Sequence, residues 1–149
     1  MREILFRGKR KDNGEWVEGY YAKATYYLDE SAGSKKDIHI IFPTDLTAYP
    51  RCEFSGYEEV IPETVGQFTG LLDKNGKKIF EGDITEYKGF IKRDYYEIRF
   101  GEASFVHRDI VRQEIGGTPF DDIEYGMDSS WMEVIGNIHD NPELLEVRP

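Results

Sequence analysis

The residues in this chain that could do chemistry fall into a few small groups. Ser104, His107 and Asp109 are the residue types of a nucleophilic triad, but no glycine-flanked elbow presents Ser104, so the set carries no catalytic signal. His39, His107 and His139 lie far apart in sequence, and none forms a pair at metal-ligand spacing, even with Asp140 beside His139. Glu81, Asp83 and Glu86 form a carboxylate cluster. Paired carboxylates catalyse only where their surroundings separate their pKa values, and a hydrogen-bonded bend with solvated charges accounts for these three more simply. Asp73, Asn75 and Gly76 match the opening of a calcium loop, yet the glycine comes too early and the closing bidentate Glu is missing. Turn chemistry explains them: Asn75-Gly76 supplies two residues that tolerate positive φ, and Gly82 with Asp83 reads as a bend in which the carboxylate accepts backbone N–H groups. No catalytic residue, cofactor or metal ligand is expected.

Two further groups suit binding better than catalysis. Lys88, Lys92 and Arg93 alternate with Tyr87, Phe90 and Tyr95. Small β-barrels stack bases on such aromatics while the cations follow the backbone, which makes single-stranded nucleic acid one candidate partner. Tyr49, Phe54 and Tyr57 are aromatic tips on a segment with little apolar periodicity; they need cover from the core or from another subunit.

Composition narrows these options. A net charge of -10 disfavours general binding to a phosphate backbone, because that affinity comes from Lys and Arg displacing counterions. The acids Asp121, Asp122, Glu124 and Asp128 raise the further alternative of an acidic nucleic-acid mimic. Ten Tyr, nine Phe and two Trp outweigh the polar average and point to a packed, aromatic-rich β structure. Cys52 is the single cysteine, so no intrachain disulfide can form, which fits a reducing compartment. The apolar run at residues 4–6 is far short of a signal-peptide core, and no stretch approaches the roughly 20 apolar residues of a membrane span. The expectation is a soluble protein of the cytoplasm.

The elements that must position these groups are short strands. Residues 4–6 and 16–27 read as a first hairpin closed by Asn13-Gly14, and 65–84 as a second closed by Asn75-Gly76, a repeated grammar offset by one residue. Residues 28–37 read as a polar loop, 38–42 as a strand ended by Pro43, and 43–63 as an irregular excursion. Strands follow at 84–87, 95–100 and 131–138, with 105–111 as a strand or, less favoured, a short helix. Asn141 before Pro142 and Glu143 predicts a short final helix capped by the asparagine side chain.

The segments TVGQFTGLLDKNGKKIFEGDI at 64–84 and VIGNIHDNPELL at 134–145, together with REILFRG near the start, make the whole chain resemble the YopX-like family of phage and prophage proteins. The resemblance implies a small, mainly β protein encoded by mobile elements in a bacterial host cell, with no activity, cofactor or catalytic residue to carry over. His139 stands where that family is expected to carry an aromatic such as Tyr, which argues against an essential histidine there.

The expected fold is mainly β: a small antiparallel barrel or sandwich, SH3-like among the candidates, with long loops and a short C-terminal helix, built as a single domain over 1–149. The expected function is non-enzymatic. A phage accessory protein would assemble with itself, or with a host or phage protein, through exposed β edges and the excursion bearing Tyr49, Phe54 and Tyr57.

Overall fold

A computed structural model describes residues 3–29, 33–44, 56–88, 93–101, 104–110 and 129–146. The chain is mainly β, and among the described residues every strand pair is antiparallel. It divides into two compact units, Met1–Gln67 and Phe68–Pro149. Among the described residues no strand ladder closes into a barrel.

In the first unit β1 (Phe6–Lys9), β2 (Trp16–Asp29), β3 (Ser34–Pro43), β4 (Glu58–Glu59) and the start of β5 (Gly66–Leu72) lie in the order β4-β3-β2-β1-β5. The first turn sets the register. Arg10 N–H donates to Glu15 C=O at 2.8 Å and Gly14 N–H to Arg10 C=O at 2.9 Å, with Gly14 in the left-handed region. Lys9 is thereby held opposite Trp16, and the first strand runs over 6–9, further along than the apolar run at 4–6 suggested. Leu5, Ile41 and Val60 are buried. A 3₁₀ turn at Pro62–Thr64 is tied to β1 by Thr64, whose Oγ1 accepts Lys9 N–H at 2.8 Å and whose hydroxyl donates to Ile61 C=O at 2.7 Å.

Residues 28–37 are expected as a loop, but within them 28–29 and 34–37 are strand: β2 continues to Asp29 and β3 begins at Ser34, paired from Tyr27 opposite Lys35 to Gly19 opposite Pro43. Ser31, Gly33 and Ser34 give the segment a loop's composition, and contacts across the strand pair replace the apolar alternation that would mark a strand in sequence. Gly19 is required by the backbone at the far end of the same pair. A Cβ there would overlap the Phe42 carbonyl oxygen and sit 2.9 Å from Ile41 Cγ2.

The second unit holds the end of β5 with β6 (Lys78–Phe80), and a sheet of β7 (Asp83–Lys88), β8 (Arg93–Phe100), β9 (Phe105–Asp109) and β10 (Met132–Asn137) in the order β10-β7-β8-β9. Ile79, Ile98 and Val134 form a buried cluster. The segment that could have been helix or strand is the strand β9. A 3₁₀ helix spans Pro142–Leu145, so the short final helix is present. Asn141 precedes it without a side-chain cap; its Oδ1 instead accepts Asn137 N–H at 3.4 Å, because the chain turns tightly between the two asparagines.

The β5–β6 turn is organised by Asp73 more than by Asn75. Gly76 takes positive φ, whereas no described non-glycine residue does, so Asn75 is not in the left-handed conformation of a two-residue primed turn. Asp73 is buried, and its Oδ1 accepts the N–H groups of Asn75 at 2.8 Å and Lys77 at 2.9 Å. Its Oδ2 reaches 61 residues along the chain to accept Val134 N–H at 3.0 Å. Lys74 N–H adds a bond to Met132 C=O at 2.9 Å, so the turn is docked on β10. Burial pushes the Asp73 pKa up, but donation from Val134, Lys77 and Asn75 outweighs it and leaves the carboxyl below its ordinary value.

Two stability changes follow. Gly19→Ala is expected to cost about 1–3 kcal/mol in urea unfolding, since the obstructing atom is backbone and cannot swing away. Asp73→Ala is expected to cost about 1–3 kcal/mol or more at pH 7, because buried N–H donors lose their acceptor. With its folded pKa depressed, Asp73 contributes stability above its unfolded value of about 3.9, and the contribution is lost as pH falls through the folded value. The gap between wild type and Asp73→Ala should therefore narrow on acidification below about pH 4; a gap independent of pH would contradict the role given to the carboxylate.

Candidate functional site

Strand alternation in β2 sends neighbouring tyrosines to opposite faces. Tyr21 packs its ring 5.3 Å from Phe6 and its hydroxyl hydrogen-bonds His39 Nδ1 at 2.5 Å. Tyr20 points the other way, where the register sets it opposite Phe42. Ile41 pairs with Glu58, so the next position brings Tyr57 beside Phe42, with ring centroids 6.2 Å apart in an edge-on arrangement. Tyr20, Phe42 and Tyr57 are 53%, 44% and 43% exposed, far above the burial of a core aromatic, and together they make one solvent-facing aromatic patch. Of the aromatic tips singled out in sequence, Tyr57 is placed here, while Tyr49 and Phe54 lie outside the described residues. Tyr20 and Phe42 were not singled out; only their register identifies them.

The patch adjoins a two-stranded ribbon. β1 pairs β2 only over Trp16 to Gly19, and β4 pairs β3 only at Ile40 and Ile41. Past those residues β2 and β3 have no third strand among the described residues. Tyr26, Tyr27 and Leu28 are exposed there. Cross-strand polar contacts hold the ribbon together in place of a core. Lys36 Nζ lies 5.9 Å from the Tyr26 ring and Lys35 Nζ 5.2 Å from the Tyr27 ring. Asp37 accepts the Thr25 hydroxyl at 2.7 Å and pairs with Lys23 at 2.8 Å. The hydrogen bond and charge of Asp37 raise the Lys23 pKa, and Lys23, then Thr25, lower that of Asp37.

In the second unit the described side chains of the basic and aromatic group, Lys88 and Tyr95, meet acids. Lys88 Nζ lies 3.3 Å from Glu86 and 3.5 Å from Glu133, two carboxylates that face one another across β7 and β10. Lys74 also pairs with Glu133 at 2.5 Å, and its hydrogen bond is the main cause that lowers the Glu133 pKa. Tyr95 donates its hydroxyl to Glu86 at 3.4 Å. Arg93 enters through its backbone, paired with Lys88, while Phe90 and Lys92 lie outside the described residues. The acids at 121–128 do so too.

The bend residues serve the backbone. Gly82 has positive φ, donates to Ile98 C=O at 2.8 Å and accepts from Ile138 N–H at 2.9 Å. Asp83 is 1% exposed and accepts Phe80 N–H at 2.8 Å. His107 packs edge-on against Tyr96, with ring centroids 4.6 Å apart. Among the described residues no three of His, Cys, Asp or Glu are grouped to hold a metal ion, and no helix is long and apolar enough to cross a membrane.

The chain belongs to the YopX protein family, whose model matches residues 5–146. Over 100 residues, 58% of this chain, it is 26% identical to the bifunctional enzyme MurC/Ddl of Chlamydia caviae; it spans only 12% of that protein's length. Protein EF1440 from Enterococcus faecalis, known from a crystal structure, is similar over 98% of this chain and 100% of its own, with 27% sequence identity and a TM-score of 0.46.

Proposed function

We propose, from this family membership and from the first unit's surface, that the protein is a non-enzymatic accessory protein of a phage or prophage, working in the bacterial host cell. It acts by protein–protein contact, assembling with itself or with a host or phage protein through the aromatic patch and the adjoining strand edge. The observation that carries the reading is the exposed cluster of Tyr20, Phe42 and Tyr57. Aromatic side chains bring large apolar area with few rotatable bonds, which is why they concentrate at protein interfaces. Nucleic acid is the weaker reading, because Lys88 already faces Glu86 and Glu133 and so offers little net charge to a phosphate.

Light scattering combined with capture from host lysate tests the proposal. The wild-type protein is expected to show a mass above one chain or to retain a specific protein, and Tyr57→Glu is expected to reduce that association at least tenfold by placing a charge inside the contact. Tyr57 is exposed, so the variant should keep its circular dichroism and its unfolding midpoint. A strictly monomeric wild type that retains no protein would remove the reading.

A further inference from the structure

Among the described residues the ribbon has a free backbone edge whose chemistry selects its own occupant. In antiparallel sheets each residue directs both its N–H and its C=O to one side of the strand, and the side alternates along the chain. Val60 N–H donates to His39 C=O at 2.8 Å across the outer edge of β3, so His39 faces that edge and Asp37 and Lys35 face it too. Lys36 and Ile38 bond inward to β2, opposite Tyr26 and Ala24. β4 reaches only Ile40 and Ile41, and 34–37 are all exposed. Among the described residues the outward backbone groups of Lys35 and Asp37 are thus an unpaired template for another strand.

We infer that a second copy of this chain occupies the edge, β3 pairing antiparallel with β3 of the partner about a two-fold axis at Lys36. This inference rests on the self-assembly reading above and deepens it. Symmetry restricts the choice: the axis stands perpendicular to the sheet, so side chains on one face meet the same face of the partner, and the axis must pass at a residue. With the axis at Lys36, Lys35 of one protomer lies opposite the partner's Asp37, and both residues present their outward backbone groups, so each pair exchanges both ladder bonds. The same two pairs put a lysine and an aspartate opposite one another on one face, the favourable cross-strand combination, with the Lys35 ammonium also 5.2 Å from its own Tyr27 ring. Moving the axis to Asp37 would oppose two carboxylates and would call on His39, whose carbonyl is already bonded to Val60. The two Lys36 side chains meet at the axis, but each ammonium is drawn back over Tyr26 on the β2 side. Asp37 keeps Lys23 and Thr25 within its own chain and stays 46% exposed, leaving room for a further donor.

Disulfide trapping tests the register. In a Cys52→Ser background, Lys36→Cys places two sulfurs across the axis at a non-hydrogen-bonded pair, where the Cα separation of about 4.5 Å lies within disulfide range. It is expected to give a covalent dimer on mild oxidation, whereas Ser34→Cys, equally exposed on the same strand, is expected to stay unlinked. Lys35→Pro removes one outward N–H that no bond among the described residues uses, so the monomer should fold while dimerisation weakens about tenfold or more. Linking at Ser34→Cys but not at Lys36→Cys overturns the axis. No linking at either position, in a protein that still assembles or still retains a partner sensitive to Tyr57→Glu, overturns the edge contact and leaves the aromatic-patch reading standing. A monomer that retains nothing removes both.

Discussion

In the second unit one buried carboxylate collects three backbone N–H groups, and the local architecture hangs on that arrangement. Asp73 closes its own turn through Asn75 and Lys77 and reaches Val134 in β10. A carboxylate removed from water is costly unless its oxygens are satisfied, and backbone donors at 2.8–3.0 Å satisfy both. The bonds therefore work in both directions: the turn cannot form in its observed shape without the acid, and the acid cannot be buried without β10 beside it. Val134, whose N–H makes this contact, meets Ile79 and Ile98 in the buried cluster, so the polar anchor and the apolar packing fix one register. Asp83 repeats the device at the next bend through Phe80 N–H.

The first unit is governed by a different constraint, the close approach of backbones where β2 passes β3. Gly19 lets the Phe42 carbonyl come nearer than any side chain would permit, and the register that follows brings Tyr20, Phe42 and Tyr57 to one face. Past that point the strands leave their neighbours and continue as a ribbon held by lysine–tyrosine contacts and by Asp37. Isolated ribbons are marginal in water, and exposed strand edges invite pairing with another chain. An aromatic face and, among the described residues, an unpaired edge thus lie on the same two strands.

Acidic residues carry several duties here, which is why their number says little about function. Asp73 and Asp83 serve backbone turns. Glu86 and Glu133, opposed across two strands, are held by Lys88 and Lys74, and buried Glu97 is met by Arg99 at 2.7 Å and Arg108 at 3.4 Å. Lys88 looked like part of a basic patch because its neighbours along the chain are Lys92 and Arg93. Its register partner on β8 is Arg93, but its ammonium lies near Glu86, two positions back on the same strand, and near Glu133 on β10, and such side-chain neighbours decide its field.

The local features were legible before any coordinates. Asn13-Gly14 and Asn75-Gly76 marked two turns in which each glycine takes positive φ, because few residue types tolerate that conformation. Aromatic, β-branched runs broken by glycine indicated the mainly β class, since period-two patterns and turn residues act within a few positions. Residues 28–37 were misread because a solvent-exposed ribbon has no buried face and so leaves no apolar alternation to detect. Tertiary structure alone decided what depends on partners distant in sequence: that Asp73 holds Val134, that Tyr20 lies opposite Phe42 and Phe42 beside Tyr57, and that Glu133 pairs with Lys88. Register is a collective property of paired strands, set by how whole faces pack, and no single stretch of the chain contains it.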